Sequence, residues 1–225
     1  MIKRQQPHSS LQKSEEAGYT IIESLVAMIV VSVLMIAIAP VMAFSVATRV
    51  QAKRIEMATQ AAQTYIEALR SEALKQGANG FPAQSTTKQL EDTPAPTNVN
   101  ALYCIDIDKK DVTTEKCETD SNQDLVVQGY YYNNLPAATN PAKTGYSLIV
   151  RVYRASSFAS GVGALTTQRS IQVNAPNRQV QQGITSSGLG NLRAPLVEMR
   201  TEIGASDREG AYNSLCTRIN DGPCQ

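Results

Sequence analysis

Ala17-Gly18-Tyr19-Thr20-Ile21-Ile22-Glu23-Ser24-Leu25-Val26-Ala27-Met28-Ile29-Val30-Val31-Ser32-Val33-Leu34-Met35-Ile36-Ala37-Ile38-Ala39-Pro40 is the stretch on which the reading of this chain turns. A polar leader ends at Gly18, and an apolar run starts at once with a single carboxylate, Glu23, just inside it. No further charged side chain appears before Arg49. That interval is roughly 25 residues, or about 37 Å of helix, against a hydrocarbon core of about 30 Å. A secretory signal peptide would have a shorter apolar stretch with a small-residue cleavage site after it, whereas here the small residue, Gly18, stands before the run. A carboxylate at the edge of such a span is costly unless it is paired or neutral, so Glu23 is a functional candidate in want of a partner.

These residues resemble the type IV prepilins and the pseudopilins of type II-like secretion systems. The signature of that superfamily is Gly, then usually Phe-Thr-Leu-Ile-Glu, then an apolar helix. The chain has Gly18-Tyr19-Thr20-Ile21-Ile22-Glu23, with Pro40 where the family's helix commonly kinks. The likeness covers roughly residues 13–48, where junction, carboxylate, span and proline agree together. The resemblance implies that a membrane prepilin peptidase cuts between Gly18 and Tyr19 and methylates the new amine of Tyr19. It also implies that Glu23, beside Thr20, meets the amine of a neighbouring subunit as a filament grows. Two departures are visible. Tyr19 replaces the commoner Phe, and Glu15-Glu16 precede the junction where many leaders carry Lys.

Beyond the span, Pro40 is the only proline and no glycine occurs between Tyr19 and Gln76, so a helix of about 58 residues is expected. Pro40 removes one backbone donor and crowds the preceding turn, predicting a bend or local melting near Ile36–Pro40. After Thr48 the pattern becomes amphipathic. Ala58, Ala61, Ala62, Tyr65, Ile66, Leu69 and Ala73 recur at three- and four-residue spacing, with Gln51, Lys53, Arg54, Gln60, Gln63, Glu67 and Arg70 opposite. Such a stripe predicts a sheet laid against it, and Gly77, Gly80 and Pro82 are the expected stop. The segment from Ala47 to Ala62 resembles the pseudopilins of cyanobacterial hormogonium polysaccharide secretion, whose scaffold helix carries a similar basic, Ala- and Gln-rich run.

The expected organisation is a leader over residues 1–18, a transmembrane and polymerisation helix over 19–48, an amphipathic scaffold over 49–76 and a head over 77–225. About 150 residues suffice for one small domain. Gly77–Asn100 is rich in Gly, Pro, Ser and Thr and reads as a draped loop. Strands are predicted over Leu102–Ile107, Leu125–Tyr132, Tyr146–Arg154 and Arg169–Val173, while for Ala194–Ile203 an edge strand and an irregular segment both stay open. The third alternates best: Ser147, Ile149, Arg151 and Tyr153 on one face, Leu148, Val150, Val152 and Arg154 on the other. Asn133–Gly145 and Gly161–Gly163 are the expected turns around that strand. The fold class is α+β, a long N-terminal helix on a small antiparallel sheet, as the pilin resemblance also implies.

Four cysteines, Cys104, Cys117, Cys216 and Cys224, read as two disulfides in an oxidising compartment. Three pairings can be drawn. Cys104–Cys117 and Cys216–Cys224 are preferred because each closes a short loop, and the second is similar to the C-terminal disulfide loop of type IV pilins. No Cys-x-x-Cys pair is present for zinc. Asp106, Asp108 and Asp111 belong to an acidic cluster around Cys104–Cys117. They offer oxygen ligands for calcium but lack the glycine and terminal Glu of an EF-hand, so a solvated loop is the default.

The only histidine is His8, inside the leader, which leaves the processed chain without an imidazole for acid–base or metal chemistry. Gly161-Val162-Gly163 lacks the third glycine and following helix of a nucleotide loop. A net charge of +1, with 21 basic and 20 acidic residues, gives no electrostatic footprint for nucleic acid. The expectation is therefore a non-enzymatic minor subunit without a cofactor. Its implied partners are the prepilin peptidase, other pilins or pseudopilins, an inner-membrane assembly platform with its ATPase, and the membrane itself. Lys3, Arg4 and Lys13 before the span and Arg49, Lys53 and Arg54 after it give no orientation, so the head is placed outside the cytoplasm on its cysteines and the resemblance. The rival expectation is an uncleaved single-pass anchor whose head binds polysaccharide or a partner, with Tyr130–Tyr132 as stacking faces unless they pack within a strand.

Overall fold

A computed structural model describes residues 20–107, 117–121, 123–133, 140–168, 191–206, 212, 215 and 216. The architecture is α+β: a long N-terminal helix, α1 (Ile21–Arg70), and a mixed, mostly antiparallel five-stranded sheet. The strands are β1 (Ala83–Gln84), β2 (Tyr103–Ile105), β3 (Leu125–Tyr132), β4 (Tyr146–Arg154) and β5 (Val197–Ile203). A short helix α2 (Pro141–Thr144) precedes β4, and single 3₁₀ turns occupy Leu90–Asp92 and Ala155–Phe158. Two compact units are present, one ending at Ser45 and the other beginning at Val46.

In the first unit α1 starts after Thr20 and passes through Pro40 without a break. The local melting expected at Ile36–Pro40 is absent, because a proline removes one backbone donor while the surrounding turns keep theirs. The serine hydroxyls of this stretch are satisfied within the helix: Ser24 Oγ donates to the Ile21 carbonyl at 2.8 Å and Ser32 Oγ to that of Met28 at 2.7 Å. A helix meets all its internal backbone needs, which makes it one of the two structures able to sit in lipid.

In the second unit the C-terminal half of α1 lays Ala58, Ala61, Ala62, Tyr65, Ile66 and Leu69 on the sheet. From below they meet Val127 and Tyr131 of β3 and Leu148, Val150 and Val152 of β4, in one apolar core. The helix ends at Arg70, short of Gln76. Glu72 adopts a left-handed conformation (φ 56°), and the chain doubles back so that Leu74 N–H reaches the Ala68 carbonyl at 3.1 Å. The reversal buries Leu74 and leaves Ala73 exposed, against the expected stripe.

Strand order is β1-β3-β4-β5, with β2 also on β3. β3 and β4 run antiparallel from Leu125↔Arg154 to Tyr132↔Ser147, and β5 continues antiparallel on β4. β1 departs from the expected all-antiparallel sheet by pairing parallel to β3, Ala83 with Tyr130 and Gln84 with Tyr131. It arises inside the segment read as a loop, since two residues are too few to leave a periodic signal. Of the two readings open for Ala194–Ile203 the edge strand forms, as β5, while Arg169–Val173 lies outside the described residues.

β4 is buried at all nine positions, on both faces. Its lower face packs on α1, and its upper face is covered by the segment that follows β1. Arg151, on that upper face, is fully buried. Its Nε donates to Glu198 Oε2 of β5 at 2.8 Å, Nη1 to the Thr93 carbonyl and hydroxyl at 3.0 Å each, and Nη2 to the carbonyls of Glu91 (3.1 Å) and Leu90 (3.3 Å). A planar fork with five donors suits such a junction, and it anchors the covering segment to the sheet.

Candidate functional site

The candidate site is the N-terminal part of α1, and its first element is a helix cap. Thr20 is the N-cap residue: its carbonyl accepts from Glu23 N–H at 3.0 Å and Ser24 N–H at 3.2 Å, and its Oγ1 is 3.4 Å from Glu23 N. Thr20 and Glu23 thus stand at the first and last positions of a Ser/Thr-x-x-Glu capping pattern, a spacing legible in the sequence though not used there. The Glu23 side chain is exposed and makes no hydrogen bond or ion pair with another described residue. Glu23 is the acidic residue in the first turn of α1. Gly18 and Tyr19, the expected processing junction, lie outside the described residues.

The second element is the surface that follows. From Ile21 (83% exposed) to Met42 (67%) large aliphatic side chains project around the helix with almost no protein over them. The helix is long and apolar enough to cross a membrane. A contiguous apolar surface far beyond a few hundred Å² is not stable against water and marks a lipid-facing or protein-facing region.

The head contributes supporting structure. The Cys104–Cys117 disulfide forms as preferred, with Cα atoms 5.5 Å apart, and buries both residues with Val126 and Ala155 on the upper side of the sheet. Cys216 is also disulfide-bonded, and Cys224 lies outside the described residues. Asp106 is half-buried, whereas Asp108 and Asp111 lie outside the described residues; among those described, no group of three His, Cys, Asp or Glu side chains gathers to hold a metal.

The tyrosines are divided by strand alternation. Tyr131 is buried between Phe81 (ring centroids 6.1 Å) and Tyr146 (5.3 Å), while Tyr130 and Tyr132 are half-buried on the opposite face. Burial raises the phenols of Tyr65, Tyr146 and Tyr153 above the ordinary 10.0. One residue assigned to the polar face of α1 belongs to the core. Gln51 is buried, and its Oε1 accepts from Arg154 Nη2 at 3.4 Å. Burial, then repulsion from Arg54, lowers the Arg154 guanidinium to about 10. No apolar periodicity signals such a pair; only the facing arginine on β4 does.

Comparison with models of known protein families, with curated proteins and with solved structures finds no match to this chain.

Proposed function

We infer that the chain is a minor pilin or pseudopilin, a structural subunit held in the cytoplasmic membrane, cut by a prepilin peptidase after Gly18 and assembled into a short filament of a type IV pilus or type II-like secretion system. The observation that carries this reading is the bare apolar surface of α1 beginning three residues after a Gly18-Tyr19 junction, with a carboxylate at its start that has no partner among the described residues. Lipid satisfies such a surface during storage, and neighbouring helices satisfy it after assembly. The head is placed outside the cytoplasm, where its disulfides persist. The resemblance to polysaccharide-secreting pseudopilins extends the proposal to polymer export linked to motility.

In this mechanism the leader is removed on the cytoplasmic side, and the amine at Tyr19 is methylated there. An ATPase-driven platform then lifts the subunit from the bilayer. The Glu23 carboxylate pairs with the amine of the subunit already in place, which sets the axial register before the apolar helices pack. A register that leaves either charge buried and unpaired is disfavoured by about 3–5 kcal/mol, which selects one register from many apolar alternatives.

Glu23→Ala is the test. The variant is expected to be cleaved normally and to stay membrane-bound, while its recovery in sheared filament fractions falls at least about tenfold, the loss of about 1.4 kcal/mol or more in docking. Normal incorporation of the variant would remove the assembly role given to Glu23.

A further inference from the structure

The apolar surface of α1 ends in a set of cations. Arg49, Lys53 and Arg54 follow directly on the stretch that carries no charge after Glu23, and they lie within about 8 Å along the helix. Arg49 and Lys53 are exposed and Arg54 is half-buried, and none of them makes a hydrogen bond or ion pair with another described residue. Glu56 is the only carboxylate between Glu23 and Glu67, and it pairs with none of the three. Val46 and Val50, 62% and 47% exposed, stand among these cations, so charge and bare apolar surface meet in the same turns.

The sheet brings a fourth cation to this part of α1. Arg154, the last residue of β4, is 4% exposed and donates through Nη2 to Gln51 Oε1 at 3.4 Å. Burial, and then repulsion from Arg54, hold its guanidinium below the ordinary arginine range. Arg154 lies too deep to meet a ligand itself. It adds positive potential behind Arg54, a repulsion that an anion outside would relieve. At about 100° per residue, Arg49 and Lys53 share one face of α1, and Arg54 stands about 100° further round. The cations form a partial collar around the helix, too widely spread to close on one small anion.

We propose that this collar binds the phosphates of anionic phospholipids in the leaflet next to the head, with Arg49, Lys53 and Arg54 as the contacting groups. A headgroup layer surrounds a helix on every side, which suits cations distributed around it. That layer is about 5–8 Å deep on each side of the hydrocarbon, close to the axial spread of the three cations. Long basic side chains lay their stems on apolar surface and extend their charges to phosphate, and Val46 and Val50 supply that surface. Continuity with the uncharged run favours lipid over an acidic protein as the anion. The inference rests on the membrane-storage part of the proposed function alone, since an anchor that never polymerises would bind lipid in the same way.

The test is native mass spectrometry of the full-length chain in detergent with equimolar dioleoyl phosphatidylglycerol and dioleoyl phosphatidylcholine. Retained lipid is expected to favour phosphatidylglycerol by about tenfold, each cation contributing up to about fivefold. The triple variant Arg49→Gln, Lys53→Gln, Arg54→Gln is expected to bring the ratio close to one, while Lys143→Gln, at an exposed cation of α2, leaves it unchanged. Should the triple variant lose its near-ultraviolet circular dichroism, the double variant Arg49→Gln, Lys53→Gln decides, since both residues are exposed, with at least a threefold fall in the ratio. In thermal unfolding, phosphatidylglycerol is expected to raise the midpoint and inorganic phosphate to leave it in place. A preference that survives the substitutions, or falls equally in Lys143→Gln, would overturn the proposal. So would a midpoint raised by inorganic phosphate alone. Equal retention of the two lipids would overturn it while leaving the membrane reading in place, whereas a chain that retains neither lipid would count against both.

Discussion

Arg151 is fully buried and meets one carboxylate and several backbone oxygens, so its environment is complete only while Glu198 is present. Removing one partner from a buried ion pair leaves an uncompensated charge and costs about 3–5 kcal/mol. Glu198→Ala is therefore expected to lower the stability of the head by about that amount in urea unfolding. Arg151→Met is expected to loosen the covering segment as well, since the carbonyls of Leu90, Glu91 and Thr93 lose their donor. A change below about 1 kcal/mol in both variants would contradict the anchoring role of Arg151. Gly129 gives a second, steric case. A Cβ at this position of β3 would stand 2.5 Å from Tyr65 Oη and 2.9 Å from Pro82 Cβ. Gly129→Ala is expected to cost about 1–3 kcal/mol by overpacking. The loss should be smaller when Tyr65→Phe is added than the two single losses sum to, and strict additivity would show that Tyr65 is not the obstacle. Neither residue announces its role in the sequence: an arginine in an alternating strand reads as solvent-facing, and a glycine there reads as a weak point.

At the scale of elements, the buried tyrosines set the response to alkali: Tyr65 and Tyr146 lie between α1 and the sheet, and Tyr153 lies on the opposite face of β4 against Phe158. Burial holds the phenols of Tyr65, Tyr146 and Tyr153 neutral beyond their ordinary 10.0; for Tyr153 the pull of Arg151 opposes this while Glu198 and Tyr130 reinforce it. Below pH 10 these groups are protonated in both folded and unfolded chains, so their contribution is complete. Above it the unfolded chain ionises first, and stability falls by about 1.4 kcal/mol per pH unit for each tyrosine. Arg154 works in the opposite sense above about 10, because the folded state gives up its proton first, but it is one group against several tyrosines, Tyr103 and Tyr131 being raised by burial as well. The urea midpoint is expected to decline once pH exceeds 10, and a flat midpoint to pH 11.5 would contradict the packing of these rings.

The elements differ in how far they could be read from the residues. β3 and β4 match the sequence to the residue, because both carry long β-branched and aromatic runs between clear turn signals. The helical stripe from Ala58 to Leu69 was equally legible. The end of α1 was not, since a left-handed Glu72 stands where glycine is the usual signal. β1 is too short to leave a periodic signal, and the upper layer depends on Arg151 reaching residues about sixty positions earlier in the chain. In the candidate site, Thr20, Glu23 and the bare apolar surface follow from local order and were read directly.

For the whole molecule, the two units divide the work. The unit ending at Ser45 holds a helix whose exposed side chains suit lipid or other helices. The unit beginning at Val46 has its own core, a buried arginine junction and a disulfide. The proposed function needs the first unit to be released at its start by processing and the second to ride with it into a filament. Everything in that account depends on where the finished chain begins. The measurement is mass spectrometry of the N-terminus of membrane-bound protein, produced with and without a prepilin peptidase. The account predicts a start at N-methylated Tyr19 that appears only with the peptidase, whereas an intact Met1 start in both preparations would contradict it.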